Sequence, residues 1–201
     1  MNKITKDALI LFAITMIAGI CLGFVHHITL DPIAAAKAAA KQATYQEVYP
    51  EAASFAENAD LTAKLAEINA DPSLQDLGSN VSVDEITEAF DASGSQIGYL
   101  VAATAKGYGG PVQLAIGVSN EQEITGIGFL SISETPGLGM KAKDEAFTSQ
   151  FPGMPATALS LTKLAKTSED QIAAISGATY TSKAVCGASN AAIYAISKYI
   201  R

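Results

Sequence analysis

The chain has 201 residues and a formal net charge of −7, and 49% of its residues are hydrophobic. This acidity argues against binding along a nucleic-acid backbone, which requires clustered Lys and Arg side chains that the sequence does not contain. The two cysteines, Cys21 and Cys186, are too few and too far apart for a disulfide framework, a cysteine zinc site or a CxxC redox motif.

The N-terminal segment predicts one transmembrane helix. From Ala8 to Leu30 the sequence contains no Asp, Glu, Lys or Arg, and as a helix this run is roughly 35 Å long, enough to cross a bilayer. Lys3 and Lys6 precede it and Asp31 follows it, so the positive-inside rule places the N-terminus in the cytoplasm. A cleaved signal peptide is the alternative, but its apolar core would span only about 7–15 residues. We therefore expect an uncleaved single-pass anchor.

The region after the anchor is predicted to be helical. An Ala-rich helix continues over Ile33 to Ala43, and Leu61 to Ile68 is the clearest helical stretch beyond it. We expect three parts in the chain: a cytoplasmic N-terminus and anchor at 1–31, a juxtamembrane helical segment at 32–80, and an extracytoplasmic domain at 81–201.

Four strands, arranged as two hairpins, are predicted from Glu85 onward. The first hairpin is "EITEAF", "DASGS", "QIGYLVAATA", and the second is "PVQLAIGV", "SNEQE", "ITGIGFLSI". Two helices follow, one over Ala142 to Phe151 and one over Ser182 to Ile200, with Ser182 as the N-cap of the second. This order predicts an α+β fold in which helices pack on one face of an antiparallel sheet.

The stretch "ISGATYTS", Ile175 to Ser182, lies at the entrance to the last helix. Gly177 allows a ligand to approach the backbone closely, flanking hydroxyls can donate to phosphate oxygens, and a helix N-terminus has unpaired N–H groups. The turn therefore suits an anion, although Ser and Thr before a helix are more often simple caps. Neither a Walker motif nor GxGxxG is present, and both histidines lie in the anchor, so no base can be assigned to a serine nucleophile.

Two further glycine-containing loops accompany this turn. "ETPGLGMK", Glu134 to Lys141, follows the last core strand, and its two glycines around Leu138 allow the backbone to lie flat against a planar ligand. "KGYGGP", Lys106 to Pro111, joins the two hairpins, and its Tyr108 could stack on a ring. Ordinary turns and a packed loop tyrosine are the alternatives.

In this order, behind a single N-terminal membrane helix, "GYGG", "ETPGLG" and "SGATYTS" resemble the G subunit of the Rnf electron-transport complex. The C subunit of the sodium-pumping NADH:quinone reductase is related to that family. The resemblance extends from the anchor to the final helix, and it implies that FMN is attached covalently, through its phosphate, to Thr179. It implies that the phosphate pocket is shaped by Ser176, Gly177, Ala178, Thr181 and Ser182. It also implies that five residues face the isoalloxazine ring or order its loop: Glu134, Thr135, Gly137, Leu138 and Gly139. Tyr108 is the candidate for stacking on the ring.

The resemblance implies an electron-carrier subunit of a membrane-bound, ion-translocating ferredoxin:NAD+ oxidoreductase. Such a subunit is no stand-alone enzyme, and we expect it to hold no catalytic residue and no metal. It would lie in the bacterial cell (inner) membrane, and its partners would be the other complex subunits, the lipid bilayer and, during maturation, a flavin transferase. The alternatives are the equivalent quinone-reductase subunit and an anchored extracytoplasmic ligand-binding or sensor module without a redox role.

The attachment motif departs from the family pattern at one position. The family usually has an Asp six residues before the acceptor threonine, and this chain has Ala173 there, with Asp170 three residues further upstream. We still expect attachment at Thr179, because the remainder of the motif is intact.

Overall fold

The computed structural model describes residues 2–164 and 166–200, so Met1, Ala165 and Arg201 lie outside the described part of the chain. The chain divides into two compact units, of which the first ends at Gln42 and the second begins at Ala43. The predicted juxtamembrane segment, 32–80, therefore crosses the boundary between the units, and most of it belongs to the second.

The first unit is formed mainly by one long helix, whose last residues, from Ala43 on, belong to the second unit. Helix α1 spans Lys3–Val48 and contains Pro32, so the predicted continuation of the anchor into an Ala-rich helix is confirmed. By length and composition α1 is apolar enough to cross a membrane. Its large apolar side chains from Ile4 to Ile33 are exposed, which suits a helix whose surroundings are lipid.

The second unit is built on a five-stranded antiparallel sheet in which neighbours along the chain are also neighbours in space. Its strands are β1 (Ser54–Glu57), β2 (Ser82–Phe90), β3 (Gln96–Lys106), β4 (Pro111–Ser119) and β5 (Ile124–Ile132). The predicted hairpins are β2–β3 and β4–β5, and both are confirmed. Strand β1 was not predicted, because this four-residue edge strand has only one partly buried side chain to mark it.

Helices and one small parallel strand pair complete the second unit. They are α2 (Ala59–Ala70), α3 (Pro72–Gln75), a 3-10 helix (Gly139–Lys143), α4 (Glu145–Thr148), β6 (Ser160–Thr162), β7 (Gln171–Ala173), α5 (Thr179–Ala195) and a π-helical turn (Ile196–Ile200). The helix predicted over Leu61 to Ile68 is confirmed as part of α2. Strands β6 and β7 pair in parallel just before the segment that leads into α5.

Two helix predictions need correction. The helix predicted over Ala142 to Phe151 is instead the 3-10 helix followed by α4, because Asp144 between them has an extended backbone (φ −71°, ψ 142°). The last helix begins at Thr179 rather than after Ser182, and its N-cap position is Ala178. A hydroxyl-rich stretch resembles a cap wherever it lies near a helix start, so the sequence placed this boundary one turn too late.

The main core lies between one face of the sheet and α5. The apolar side of α5 faces the sheet, since Val185, Ala188, Ala192 and Ile193 are all buried in the cluster that contains the inward side chains of the strands. The alanines permit close approach of the helix to the strands. This packing holds the start of α5 beside the loops at one end of the sheet.

The other face of the sheet receives the last turns of α1. Tyr45 and Val48 form a second buried cluster with Leu100 and Ala115. A Cβ added at Gly126 would lie 2.9 Å from the carbonyl oxygen of Val48, so the glycine makes room for the helix backbone. The helix predicted as a membrane anchor therefore ends as part of the folded domain.

Candidate functional site

The three glycine-containing motifs meet at one end of the five-stranded sheet. The loop between β3 and β4 and the segment after β5 are adjacent there, because Lys106 pairs with Pro111 and Val112 pairs with Ile132. The start of α5 borders the same region, and the three segments surround a pocket of about 310 Å³. The pocket is lined by Tyr108, Glu134, Thr135, Leu138, Gly139, Gly177, Ala178, Thr179, Tyr180 and Thr181.

Three of the residues singled out in the sequence do not line this pocket: Gly137, Ser176 and Ser182. Ser182 is fully buried, and its hydroxyl donates to the carbonyl of Ala178 and accepts from the backbone N–H of Ile175, both at 3.0 Å. The Ser182 hydroxyl therefore stabilises the turn through two hydrogen bonds to its backbone.

Thr179 is the first residue of α5, directly after a turn in which Gly177 has a φ of +78°. That conformation is strained for any residue with a Cβ, so glycine is required there. The side chain at the N-cap position, Ala178, makes no capping hydrogen bond. The N–H groups of the first helical turn therefore lack a side-chain partner at the N-cap and can attract an anion beside the Thr179 hydroxyl.

Glu134 joins two of the motifs. Its side chain is 7% exposed, and its carboxylate accepts hydrogen bonds from the backbone N–H of Tyr108 at 2.7 Å and of Gly109 at 3.1 Å. Hydrogen bonds to a charged acceptor are stronger than neutral ones, and they compensate the carboxylate for lost hydration. The Glu134 carboxylate therefore holds the loop between β3 and β4 in place.

Gly139 allows the segment after β5 to approach the first turn of α5. A Cβ added at Gly139 would lie 2.6 Å from Oγ1 of Thr181 and 2.7 Å from Cβ of Glu134. Real side chains do not tolerate such distances, so residue 139 must be glycine for the two segments to touch. The close approach brings the Thr181 oxygen to the inner side of the pocket.

Two tyrosines form the rim of the pocket. Tyr108 is 75% exposed and Tyr180 is 69% exposed, and their ring centroids are 6.1 Å apart with a 48° angle between the planes. Tyr108 was predicted from the sequence as a ring contact, but Tyr180 was not, because a turn sequence does not show which of its side chains face a ligand. An aromatic residue directly after the predicted acceptor is the signal that could have identified it.

The structure also locates the departure from the family's attachment motif. Ala173 ends β7, and its backbone N–H donates to Oε1 of Gln150 at 2.8 Å. The carboxylate of Asp170 accepts hydrogen bonds from the hydroxyls of Ser168 and Ser160, which lower its pKa. Asp170 therefore accepts hydrogen bonds beside the β6–β7 pair and does not line the pocket.

The lining of the pocket fits part of a flavin. Leu138 and the two tyrosines offer apolar and aromatic surface to a planar ring, and Thr179 and Thr181 offer hydroxyls. A volume of about 310 Å³ is at the lower end of the range for ligand pockets, about 300–1,000 Å³. Such a pocket would cover part of the ligand and leave the rest at the surface. Over the residues described by the structure, no cluster of three or more His, Cys, Asp or Glu side chains could hold a metal ion.

Comparisons with known proteins identify similar families and relatives. Two family models match the chain, "FMN-binding domain" over 107–194 and "RnfG N-terminal region" over 1–48. The G subunit of the Na(+)-translocating ferredoxin:NAD(+) oxidoreductase complex of Acetobacterium woodii is 31% identical over 196 residues, which cover 94% of this chain and 89% of the relative. The G subunit of the ion-translocating oxidoreductase complex of Methanosarcina acetivorans is 31% identical over 197 residues, which cover 98% of this chain and 96% of the relative.

A solved structure shares the fold. The C subunit of the Na(+)-translocating NADH-quinone reductase from Parabacteroides distasonis superposes with a TM-score of 0.50 at 26% identity. The superposition covers 57% of this chain and 61% of that one.

Proposed function

Because the chain belongs to the family of Rnf complex G subunits, we propose that it is the electron-carrier subunit of an ion-translocating ferredoxin:NAD+ oxidoreductase, with FMN bound covalently at Thr179. The chain contains an FMN-binding domain, and a bound flavin supplies electron transfer in one-electron or two-electron steps. Relatives with this assembly in their names match nearly the full chain, whereas the quinone-reductase subunit matches about three-fifths of it. The Rnf assembly is therefore favoured over the quinone reductase.

The proposal for the attachment point rests on one observation. Thr179 lines the pocket at the N-terminus of α5, and the preceding N-cap residue, Ala178, makes no side-chain hydrogen bond to the first turn of the helix. A phosphodiester on its hydroxyl would lie beside unpaired N–H groups and the Gly177 turn, both of which stabilise a phosphate. In this proposal Ala178 and Thr181 complete the phosphate surroundings. Leu138, with Thr135 and the glycines of its loop, provides contacts for the ring.

We extend the proposal to the membrane arrangement. Helix α1 crosses the bacterial cell membrane once, with Lys3 and Lys6 on the cytoplasmic side and the second unit on the other side. Lipid surrounds the apolar surface of α1, the other members of the complex contact the chain, and a flavin transferase has to reach Thr179 from the extracytoplasmic side.

A pair of substitutions in one helical turn tests the attachment point. The protein is made in a host that supplies the flavin transferase, and variants Thr179→Ala and Thr181→Ala are compared with the wild type. We expect flavin fluorescence that survives SDS electrophoresis in the wild type and in Thr181→Ala, and none in Thr179→Ala. Intact-mass spectrometry of the two fluorescent proteins should show an added FMN less one water.

Two results would contradict the proposal. A fluorescent Thr179→Ala band would place the bond on another residue. An unmodified wild-type chain would instead favour the anchored ligand-binding module without a redox role.

A further inference from the structure

The pocket rim is apolar although it faces solvent. Within the described part of the second unit, the large hydrophobic side chains that are most exposed are Tyr108, Leu138, Leu164 and Tyr180. All of them except Leu164 line the one pocket. Single exposed apolar side chains are common on protein surfaces, but a cluster around a concave site indicates a surface that becomes covered.

The two tyrosine rings form one surface. For a planar ring to lie between them, the ring centroids would have to be about 7 Å apart, because each stacked layer adds about 3.5 Å, and the planes would have to be nearly parallel. The observed separation is 6.1 Å and the interplanar angle is 48°, values typical of an aromatic pair in mutual contact. This arrangement leaves room for a ligand ring against the pair and none between its members.

Each ring is positioned by a different element. Tyr180 is the second residue of α5, which the main core holds in place. The backbone N–H groups of Tyr108 and Gly109 are held by the carboxylate of Glu134. The backbone positions of both tyrosines are consequently fixed by the fold, although both side chains are exposed.

We propose that Tyr180, together with Tyr108, is an aromatic platform for the ring of the flavin, and that Glu134 is the positioning residue for Tyr108. This inference rests on the proposed function, because it requires FMN on the neighbouring Thr179. The platform orients the ring through apolar contact and excludes water from the side that it covers.

A phenol ring in contact with a flavin lowers the fluorescence emission of the flavin. An excited isoalloxazine accepts an electron from a phenol at contact distance, and the electron then returns, so that emission is lost without net oxidation. A phenylalanine ring keeps the apolar contact but is a much poorer electron donor. The ratio of flavin emission in the native protein to emission after unfolding in SDS therefore reports contact with tyrosine, normalised to the amount of attached flavin.

The test compares Tyr180→Phe and Tyr180→Leu with Tyr199→Phe in the holoprotein. Tyr199 belongs to the π-helical turn that continues α5, and the two elements together form the C-terminal helical segment, 179–200. It lies about 30 Å along the helix from Thr179. We expect both Tyr180 variants to raise the native-to-unfolded emission ratio severalfold. Tyr199→Phe, which also removes one phenol, should leave the ratio at the wild-type value.

The role of Glu134 is tested in the same assay through Tyr108. Glu134→Gln should raise the emission ratio, because an amide cannot accept from both backbone N–H groups with two equivalent oxygens. If Glu134 acts through Tyr108, the double variant Glu134→Gln/Tyr108→Phe should show no greater rise than Tyr108→Phe alone. Additive rises would overturn the positioning role.

The outcomes separate the platform from the proposed function. A wild-type band that fluoresces in SDS, combined with an unchanged emission ratio in Tyr180→Phe and Tyr180→Leu, would overturn the platform and leave the covalent flavin intact. If the wild-type band is dark in SDS, the proposed function fails and the platform fails with it.

Discussion

At the residue scale, Glu134 shows how the site tolerates a buried charge. Removing a carboxylate from water costs several kcal/mol of hydration free energy, which strong hydrogen-bond partners have to offset. Glu134 gains two, since each of its oxygens accepts one backbone N–H from the loop between β3 and β4. The same two bonds tie the "GYGG" loop to the "ETPGLG" segment, so one side chain connects two motifs that are separated in sequence.

Gly139 provides a test of the close approach within the site. Gly139→Ala places a Cβ 2.6 Å from Oγ1 of Thr181 and 2.7 Å from Cβ of Glu134, and we expect a loss of about 1–3 kcal/mol in the free energy of unfolding. The matched control is Gly110→Ala, whose Cβ would make only ordinary contacts of 3.5 and 3.6 Å with Ser133. Urea denaturation measures both variants, and equal losses would show that the approach at residue 139 carries no special constraint.

At the element scale, the final turns of α1 contribute to the stability of the sheet. Val48 is fully buried against it, and its carbonyl accepts a hydrogen bond from the Thr125 hydroxyl at 2.8 Å. We expect Val48→Ala to destabilise the domain by about 1–3 kcal/mol. Val25→Ala, the same substitution in the exposed part of the same helix, should leave the unfolding transition of the domain unchanged. Thermal unfolding in detergent distinguishes the two, and similar midpoints would contradict the role of Val48.

A second inter-element contact connects the C-terminal helical segment to the turn between α2 and α3. Oδ2 of Asp71 accepts hydrogen bonds from Lys198 at 2.6 Å, from Tyr194 at 2.7 Å and from Tyr199 at 2.9 Å. These bonds hold the pKa of the Asp71 carboxyl well below its usual value. The salt bridge closes a loop of the chain that contains every strand except β1.

The depressed pKa of Asp71 predicts a pH dependence of stability. The folded protein keeps Asp71 ionised at a pH where the unfolded chain binds a proton, so this contribution is complete above the ordinary pKa of about 4 and is lost as the pH falls below it. Asp71→Asn should therefore reduce the fall in melting temperature below that pH. Because Lys198 is half-exposed, solvent screening keeps the effect modest. Parallel slopes for Asp71→Asn and the wild type would exclude this linkage.

At the scale of the whole molecule, the proposed membrane orientation has a direct test. A membrane-impermeant maleimide applied to intact spheroplasts should label Ala92→Cys, in the exposed turn between β2 and β3. The same reagent should label Asn2→Cys only after the membrane is permeabilised. The native thiols should interfere little, because Cys186 is buried, which raises its pKa to about 11, and Cys21 lies within the apolar part of α1. Labelling with the opposite pattern would reverse the orientation.

The features that depend on near neighbours in the chain could be predicted from the sequence. Short strand-like segments separated by turn residues predicted β2 to β5, and an uncharged run predicted the apolar part of α1. The motif residues marked the three segments that form the pocket. Each of these signals arises within a few residues, because strand and helix periodicity and turn chemistry are local properties of the backbone. The α+β class followed from the order of the elements, and it is confirmed.

The tertiary structure alone decided which distant groups touch. Tyr180 lies beside Tyr108, and the end of α1 packs on the sheet. The carboxylate of Glu134 accepts a hydrogen bond from a loop residue 25 positions earlier in the chain. The tertiary structure also showed that α5 begins at Thr179, with the Ser182 oxygen directed into the turn. These facts depend on strand register and on the packing of α5 against the sheet. Such contacts join residues far apart in the chain, and no local pattern in the sequence records them.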